Sequence, residues 1–381
     1  MSNMKITSAH KGDSINENTL TGDSVAQKKE AFHDKHEQFT EKAYNATNLL
    51  PDRYVLVLTN LCNLRCCFCF QKKNPRNDAM RLTDWKRLVD QIPDYARVTL
   101  CGGEPLLFSG FREIFSYIAE RVDCNIISNG ILLNEETIDY LLSFPNFKVL
   151  SLSIDNIGNT LRDVTFSQWE HLKKMLKYFL EKRSNLHSDC ILDIKTMILD
   201  ENADELFEIY KYFVEEIGVD THAFQFLKGS PIQHADYMYE LKNISEKSEA
   251  QVYKKFDLIK EQLDRVRSYN VQRRKFSFLH PKLDSLVLDR PLSNIDCLNN
   301  PYYIKEIYSP CKFPWSSVHI NFDGNLFPCL AVSMGNVKEE CLSAIINGDE
   351  FKKFKDLIRQ EGTVDACNRC GWLRPKDKVM A

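Results

Sequence analysis

The sequence predicts an α/β fold built on a parallel sheet, and two observations carry that prediction. Six short apolar runs, at 54–59, 97–100, 124–128, 148–154, 190–197 and 222–227, are strand candidates. Segments of helical spacing separate them: Trp169, Leu172, Leu176 and Phe179 form one apolar stripe, and Leu206, Ile209, Phe213 and Ile217 another. Such alternation calls for right-handed crossovers within one sheet. Periodicity leaves open whether the sheet curls into a partial barrel, but either architecture gathers functional groups at the C-terminal ends of the strands.

In chain order, residues 1–48 are polar and lack a sustained period, so they read as a tail in which AFHDKHEQFTEKAYNATNLL includes a short helix. The organised chain opens with YVLVLT, Tyr54 to Thr59, and strand and helix alternate through 49–230. After Lys228-Gly229-Ser230-Pro231 the rhythm breaks. The stretch 231–305 holds a charged helix candidate at 246–268, with Val252, Phe256, Ile259, Leu263 and Val266 on one side, and the basic run RRKFSFLHPKL, read as a solvated face. The unit 306–381 contains NFDGNLFPC, whose Asp-Gly marks a hairpin turn, and helix candidates near 339–347 and 350–360.

Composition narrows the class. A chain of 381 residues has room for one large core and a smaller unit. Its 50 basic and 53 acidic residues give a net charge of -3, with no clear nucleic-acid signal and no basic block suited to a membrane surface. No apolar stretch reaches membrane-spanning length, and MSNMKITSAHKGDS lacks the apolar run of a signal peptide, so a soluble, cytoplasmic protein is expected. Thirteen cysteines in such a chain point to metal ligation or chemistry rather than disulfides.

The first cysteine group lies directly after the first strand, in LTNLCNLRCCFCF. Cys62, Cys66 and Cys69 form C-x3-C-x2-C. Three soft thiolates this close can wrap one zinc or iron-sulfur centre. Three ligands on a four-iron cluster leave one iron open, which is the arrangement of a reactive centre. A redox dithiol or half of a zinc site is the alternative from local spacing alone. Cys67 gives a poorer spacing than Cys66 and reads as a bystander.

This loop resembles the C-x3-C-x-aromatic-C motif of the radical S-adenosylmethionine (SAM) superfamily, with Phe68 as the aromatic. The resemblance extends to CGGEPLL, where Gly102, Gly103, Glu104 and Pro105 match the segment that contacts the methionine amino group of SAM. Two glycines permit close backbone approach, and Glu104 is expected to orient the adjacent loop. Ser128-Asn129-Gly130, then Ser153-Ile154-Asp155, then Lys195-Thr196-Met197 with Asn202, resemble successive SAM-contacting strand ends, and Phe226 within FQFL is expected on the adenine side. A buried polar cap on each strand would account for these residues individually; their order carries the likeness.

What the resemblance implies covers roughly 53–228. It is a partial (β/α)6 TIM-like barrel followed by a small C-terminal iron-sulfur domain. A [4Fe-4S] cluster on Cys62, Cys66 and Cys69 binds SAM and, supplied with an electron from a donor such as flavodoxin or ferredoxin, cleaves it to a 5'-deoxyadenosyl radical that abstracts a substrate hydrogen. The cofactor carries the hard chemistry, and the protein orients it and excludes solvent.

Cys311, Cys329, Cys367 and Cys370 form the second set, spaced C-x17-C-x37-C-x2-C. Four thiolates complete either a zinc site or a fully ligated cluster. The tail resembles SPASM and twitch domains, and because no C-x2-C-x5-C run follows Cys367 it is closer to the twitch arrangement with one auxiliary [4Fe-4S] cluster. Cys341 reads as apolar filling. An auxiliary cluster without an open iron favours electron transfer and hence a net two-electron oxidation.

The leading expectation is therefore an oxidoreductase acting on a sugar or aminocyclitol-like small molecule, with Asp155, Arg162 and Asp163 as candidate pocket residues against the alternative of solvated loop positions. The runner-up is a maturase of a ribosomally made peptide, lowered by a first 48 residues too short and polar for a winged leader-binding domain. A radical epimerase remains open, with no donor role assignable to Cys124, Cys190 or Cys297. A zinc-binding interaction module is the non-enzyme alternative. No side chain is assigned as catalytic acid or base.

Overall fold

The structure is a computed structural model that describes residues 34–46, 48–71, 78–233, 235–245, 252–273, 277–280, 298–299, 308–374 and 376. A helix α1 (34–45) precedes strand β1 (Arg53–Val57). There follow α2 (Leu82–Val89), β2 (Arg97–Cys101), α3 (Phe111–Ala119), β3 (Asp123–Ser128), α4 (Glu135–Leu142), β4 (Phe147–Ser153), α5 (Phe166–Asn185) and β5 (Ile191–Ile198). Helix α6 (Leu206–Lys211) runs on as a π-helical turn, Tyr212–Ile217, into β6 (Thr221–Phe226). Then come α7 (Phe256–Arg273), β7 (Ser277–His280), β8 (Ser317–Ile320), β9 (Asn325–Phe327), β10 (Gly335–Asn336), α8 (Leu342–Ile346) and α9 (Asp349–Glu361).

All six expected strands are present and pair in parallel in sequence order, β1 to β6. Two additions were not expected. Strand β7 extends the sheet beyond β6, and β8 pairs in parallel with the other side of β1, Arg53 opposite Ser317. The order β10-β9-β8-β1-β2-β3-β4-β5-β6-β7 leaves two unjoined ends among the described residues, so the TIM-like barrel is partial. The Asp-Gly hairpin forms between β8 and β9, with Gly324 at φ 90°, a conformation glycine adopts without strain.

Side chains alternate faces along each strand. Tyr54 and Leu56, Val98 and Leu100, Cys124 and Ile126, Leu150 and Leu152, Leu192 and Ile194, and Phe224 and Phe226 belong to the main apolar core. Trp169, Leu172, Leu176 and Phe179 of α5 cover it as their stripe predicted, as do Leu206, Ile209 and Phe213. The opposite face is mixed, and carries Thr99 and Cys101, Asn125, Ser151 and Ser153, Asp193 and Lys195, and Gln225 alongside Val55, Val57 and Met197. There Asp193 accepts hydrogen bonds from Ser151 Oγ at 2.9 Å and Thr221 Oγ1 at 2.6 Å, tying β4, β5 and β6 together.

Within the region read as a tail, the expected short helix forms at 34–45, but it is packed rather than loose, with Ala43 and His36 buried. The charged helix lies at Phe256–Arg273 rather than 246–268; Phe256, Ile259, Leu263 and Val266 are buried as expected, but Val252 precedes the helix and is exposed. Residues 246–251, Cys297 and most of RRKFSFLHPKL lie outside the described residues. Among the described residues, no helix is long and apolar enough to cross a membrane.

Candidate active site

The loop carrying Cys62, Cys66 and Cys69 is held by the segment that follows β2. Gly103 N donates to Thr59 O at 2.7 Å and Glu104 N to Leu61 O at 2.8 Å. A Cβ at Gly102 would lie 2.6 Å from Thr59 O, and one at Gly103 2.1 Å from Leu61 O. The close approach that requires glycine is thus made by the cysteine loop's own backbone. Cys62, Cys66 and Cys69 are half-buried whereas Cys67 is exposed.

Glu104 lies at the centre of this junction, fully buried. Its Oε1 accepts from Ser128 Oγ at 2.8 Å and Leu106 N at 3.2 Å, and its Oε2 accepts from Asn129 N at 2.8 Å. Burial pushes the carboxyl up to about 7 against the pull of these three donors. Asn129 Nδ2 in turn donates to Asn63 Oδ1 at 2.8 Å and lies 3.7 Å from Cys62 Sγ. Glu104, Ser128 and Asn129 therefore form one relay from the ends of β2 and β3 to the first cysteine.

A second relay starts at the end of β4. Asp155 is fully buried; it accepts from Met197 N at 2.8 Å and meets Arg162, Nε to Oδ2 at 2.7 Å. Burial raises its pKa, opposed by Arg162 and the Met197 amide. The Arg162 guanidinium sits over the Phe68 ring at 5.2 Å and lies 4.0 Å from Cys66 Sγ. Asn202 closes the arrangement by donating to the Asp155 and Met197 carbonyls, each at 2.8 Å. Ser153 caps the same strand end and its carbonyl accepts from Asn159 Nδ2 at 3.3 Å. Asp163, at φ 59°, ends the short turn through Arg162.

Gly102, Gly103, Glu104, Ser128, Asn129 and Asp155 thus connect to the cysteine loop directly or through a relay, with Pro105 and Ser153 next to them along the chain. Thr196 and Phe226 do not. Thr196 Oγ1 is buried, donating to Ile154 O at 2.6 Å and meeting His222 Nε2 at 2.8 Å. Phe226 packs among Tyr253 and Phe256 in the helix-covered core. The reason is parity: both share a face with strand residues already committed to that core, as the alternation of apolar and polar positions along β5 and β6 signals.

The second cysteine set comes together although its members are far apart in sequence. Burial pushes the Cys311 thiol up to about 12, with Cys370 adding to the rise. Cys329 is raised well above the usual thiol range, first by burial and then by Cys311, Cys367 and Cys370. Cys367 is buried and Cys311, Cys329 and Cys370 are half-buried, within electrostatic reach of one another, and thiols so grouped suit a centre that displaces their protons, as iron or zinc does. Cys367 and Cys370 are joined by a tight turn, Cys370 N to Cys367 O at 2.9 Å. Lys228, which the sequence did not single out, stands just beyond β6 within electrostatic reach of Cys370 and Cys329; burial lowers its pKa. Its neighbour Gly229 donates to Asn368 O at 3.1 Å, so the end of β6 docks on the Cys367–Cys370 turn.

An open α/β barrel with a thiol loop at its first strand end and a second thiol set in the C-terminal unit belongs to the class of barrel proteins equipped for soft metal centres. Residues 56–213 match the model of the Radical SAM superfamily, and residues 311–371 match SPASM, an iron-sulfur cluster-binding domain. Residues 56–213 are thus a Radical SAM domain and residues 311–371 a SPASM domain, and the cofactors of the pair are a SAM-binding [4Fe-4S] cluster, SAM and an auxiliary iron-sulfur cluster.

The sporulation killing factor maturation protein SkfB of Bacillus subtilis is 30% identical over 165 residues, 42% of this chain and 39% of that protein. A GTP 3',8-cyclase of Clostridium perfringens is 29% identical over 162 residues, 40% of this chain and 48% of the cyclase. The chain thus spans less than half the length of either relative. SuiB of Streptococcus suis, solved bound to the precursor peptide SuiA, has a similar fold: TM-score 0.59 at 17% identity, covering 96% of this chain and 78% of SuiB.

Proposed function

We propose that this protein is a radical SAM enzyme that modifies a peptide substrate, a maturase of a ribosomally made peptide. Cys62, Cys66 and Cys69 hold the catalytic [4Fe-4S] cluster. Cys311, Cys329, Cys367 and Cys370 hold one auxiliary [4Fe-4S] cluster, as in the twitch arrangement. The observation that carries the reading is that the sheet brings two separate thiol sets into one body, each with its own protein brace. The similarity to SkfB, named a maturation protein, supports a peptide over the sugar or aminocyclitol that the sequence alone put first. The fold shared with peptide-bound SuiB is consistent with it.

When bound and reduced, the cluster and SAM supply a 5'-deoxyadenosyl radical able to take hydrogen from an unactivated carbon. The protein's share is positional. Glu104 fixes Asn129, Asn129 fixes Asn63 and lies by Cys62, and Arg162 places a cation beside Cys66. Gly102 and Gly103 let the thiolate loop sit flush on the strand ends. An electron donor of the flavodoxin or ferredoxin class completes the system.

The test is anaerobic reaction of the reconstituted protein with reductant, SAM and two panels, one of candidate precursor peptides and one of sugars and aminocyclitols. The expected result is 5'-deoxyadenosine formed in step with a mass change in a peptide. Turnover confined to the small molecules would replace this reading with the oxidoreductase.

A further inference from the structure

We propose that helix α1 is a clasp for the auxiliary cysteine site, joining the segments that carry Cys311 and Cys370 and so slowing loss of the centre they hold. The proposal rests on the assignment of Cys311, Cys329, Cys367 and Cys370 as ligands.

The contacts fall on one helical face, at positions three and four apart. Thr40 Oγ1 meets Ser316 Oγ at 2.6 Å, and Tyr44 packs edge-on to Trp315 at 4.7 Å. Glu37 pairs with Arg374 at 2.7 Å, and Glu41 with Lys312 at 2.6 Å. Lys312 follows Cys311 directly, while Arg374 lies four residues after Cys370. One face of α1 therefore reaches the chain beside both ligands.

Between those ligands lies an aromatic bridge. Phe313, two residues after Cys311, stacks on Trp372, two residues after Cys370, with ring centroids 4.0 Å apart and planes 17° apart. The His36 imidazole meets both rings edge-on, at 5.6 Å and 5.4 Å, and the Arg53 guanidinium lies 5.0 Å from the Trp372 ring. His36 is itself anchored by Nδ1 to Asp52 Oδ1 at 2.8 Å. Aromatic and cation-π contacts of this kind stabilise beyond the burial of their area. The half-exposed ion pairs contribute less, so the buried imidazole and rings dominate the clasp.

Bringing Cys311 to Cys370 closes a long loop, whose entropic cost opposes assembly of the site. A clasp that holds the loop's two ends lowers that cost before any metal arrives. Coupling of this sort is reciprocal: a filled site must also hold α1 more firmly.

The test uses the full chain with Cys62, Cys66 and Cys69 changed to Ala, so that only the later set can hold a cluster. In that background His36→Ala, and separately Glu37→Gln with Glu41→Gln, are reconstituted anaerobically and challenged with a ferrous chelator. His36→Ala should release iron about tenfold faster, within the usual span of coupling between sites, and the Glu pair should show a smaller increase. Trypsin cleavage at Lys35 and Lys42 of the clasp-intact chain should be slower when iron is bound than after its removal. Iron bound normally but released at unchanged rates, with cleavage indifferent to iron, overturns the clasp alone. A background chain that holds no iron removes the ligand assignment and the clasp with it.

Discussion

Glu104 accepts the Asn129 amide at 2.8 Å, and through that contact the end of β2 fixes an asparagine whose side chain reaches the first cysteine loop. The carboxylate is spent entirely on protein donors. In Glu104→Gln, an amide NH2 must face either the Asn129 N–H or the Ser128 and Leu106 donors, leaving a buried donor unpaired at a cost of about 1–3 kcal/mol. SAM affinity should fall at least tenfold, with iron content preserved. Calorimetric titration with SAM checks this, and unchanged affinity would show that the relay does not position the loop.

Gly103 provides a folding test. Alanine there places a methyl 2.1 Å from Leu61 O, and neither backbone can move without breaking the Glu104 N to Leu61 O bond. Gly103→Ala should destabilise the chain by about 3 kcal/mol or more, as severe overpacking does. Chemical denaturation of the iron-free protein measures it.

Asp155 and Arg162 form a buried pair, and removing one partner strands the other. Asp155→Ala should cost about 3 kcal/mol and release the guanidinium from Cys66. Arg162→Gln strands the fully buried Asp155 carboxylate and should cost a similar amount, while also lowering the reduction potential of the first cluster, because a cation near a thiolate favours the more negative, reduced state. Redox titration monitored by electron paramagnetic resonance separates the two effects.

His36 gives a pH dependence with a definite sign. Burial, aided by Arg97 and Arg53, lowers its pKa below 6.5, although Asp52 pulls the other way. The native state therefore binds fewer protons at this site than the unfolded chain, and stability is gained above 6.5 and lost as pH falls through the lowered native value. Its Nε2, buried and without a hydrogen-bond partner, fits a neutral ring that donates from Nδ1. Between pH 7 and 5 the Tm of the parent should fall more than that of His36→Gln; parallel curves would contradict the assignment.

Much of this was legible in the sequence because it is local. Each strand is a short apolar run and each cysteine set announces itself by spacing, so the six core strands, the α5 stripe and the Asp-Gly hairpin could be read directly. Thr196 and Phe226 were misplaced because strand ends were matched by order, and order does not report which face a side chain takes; counting parity from Ile194 and Phe224 would have put both in the core. The pairing of β8 with β1 and the docking of α1 on Trp315 and Trp372 join residues more than two hundred positions apart, a distance over which no local pattern acts. Lys228 escaped notice for the same reason, since its relevance comes from Cys329 and Cys370 rather than from its neighbours.

The most direct test of the account is electron paramagnetic resonance of the anaerobically reconstituted, reduced protein with and without SAM. Two cubane clusters are expected, one of whose signals shifts when SAM is added. That shift should vanish in Cys66→Ala and persist in Cys370→Ala, which keeps the first cluster and loses the second. A spectrum indifferent to SAM, or early thiolates that take up zinc alone, would contradict it.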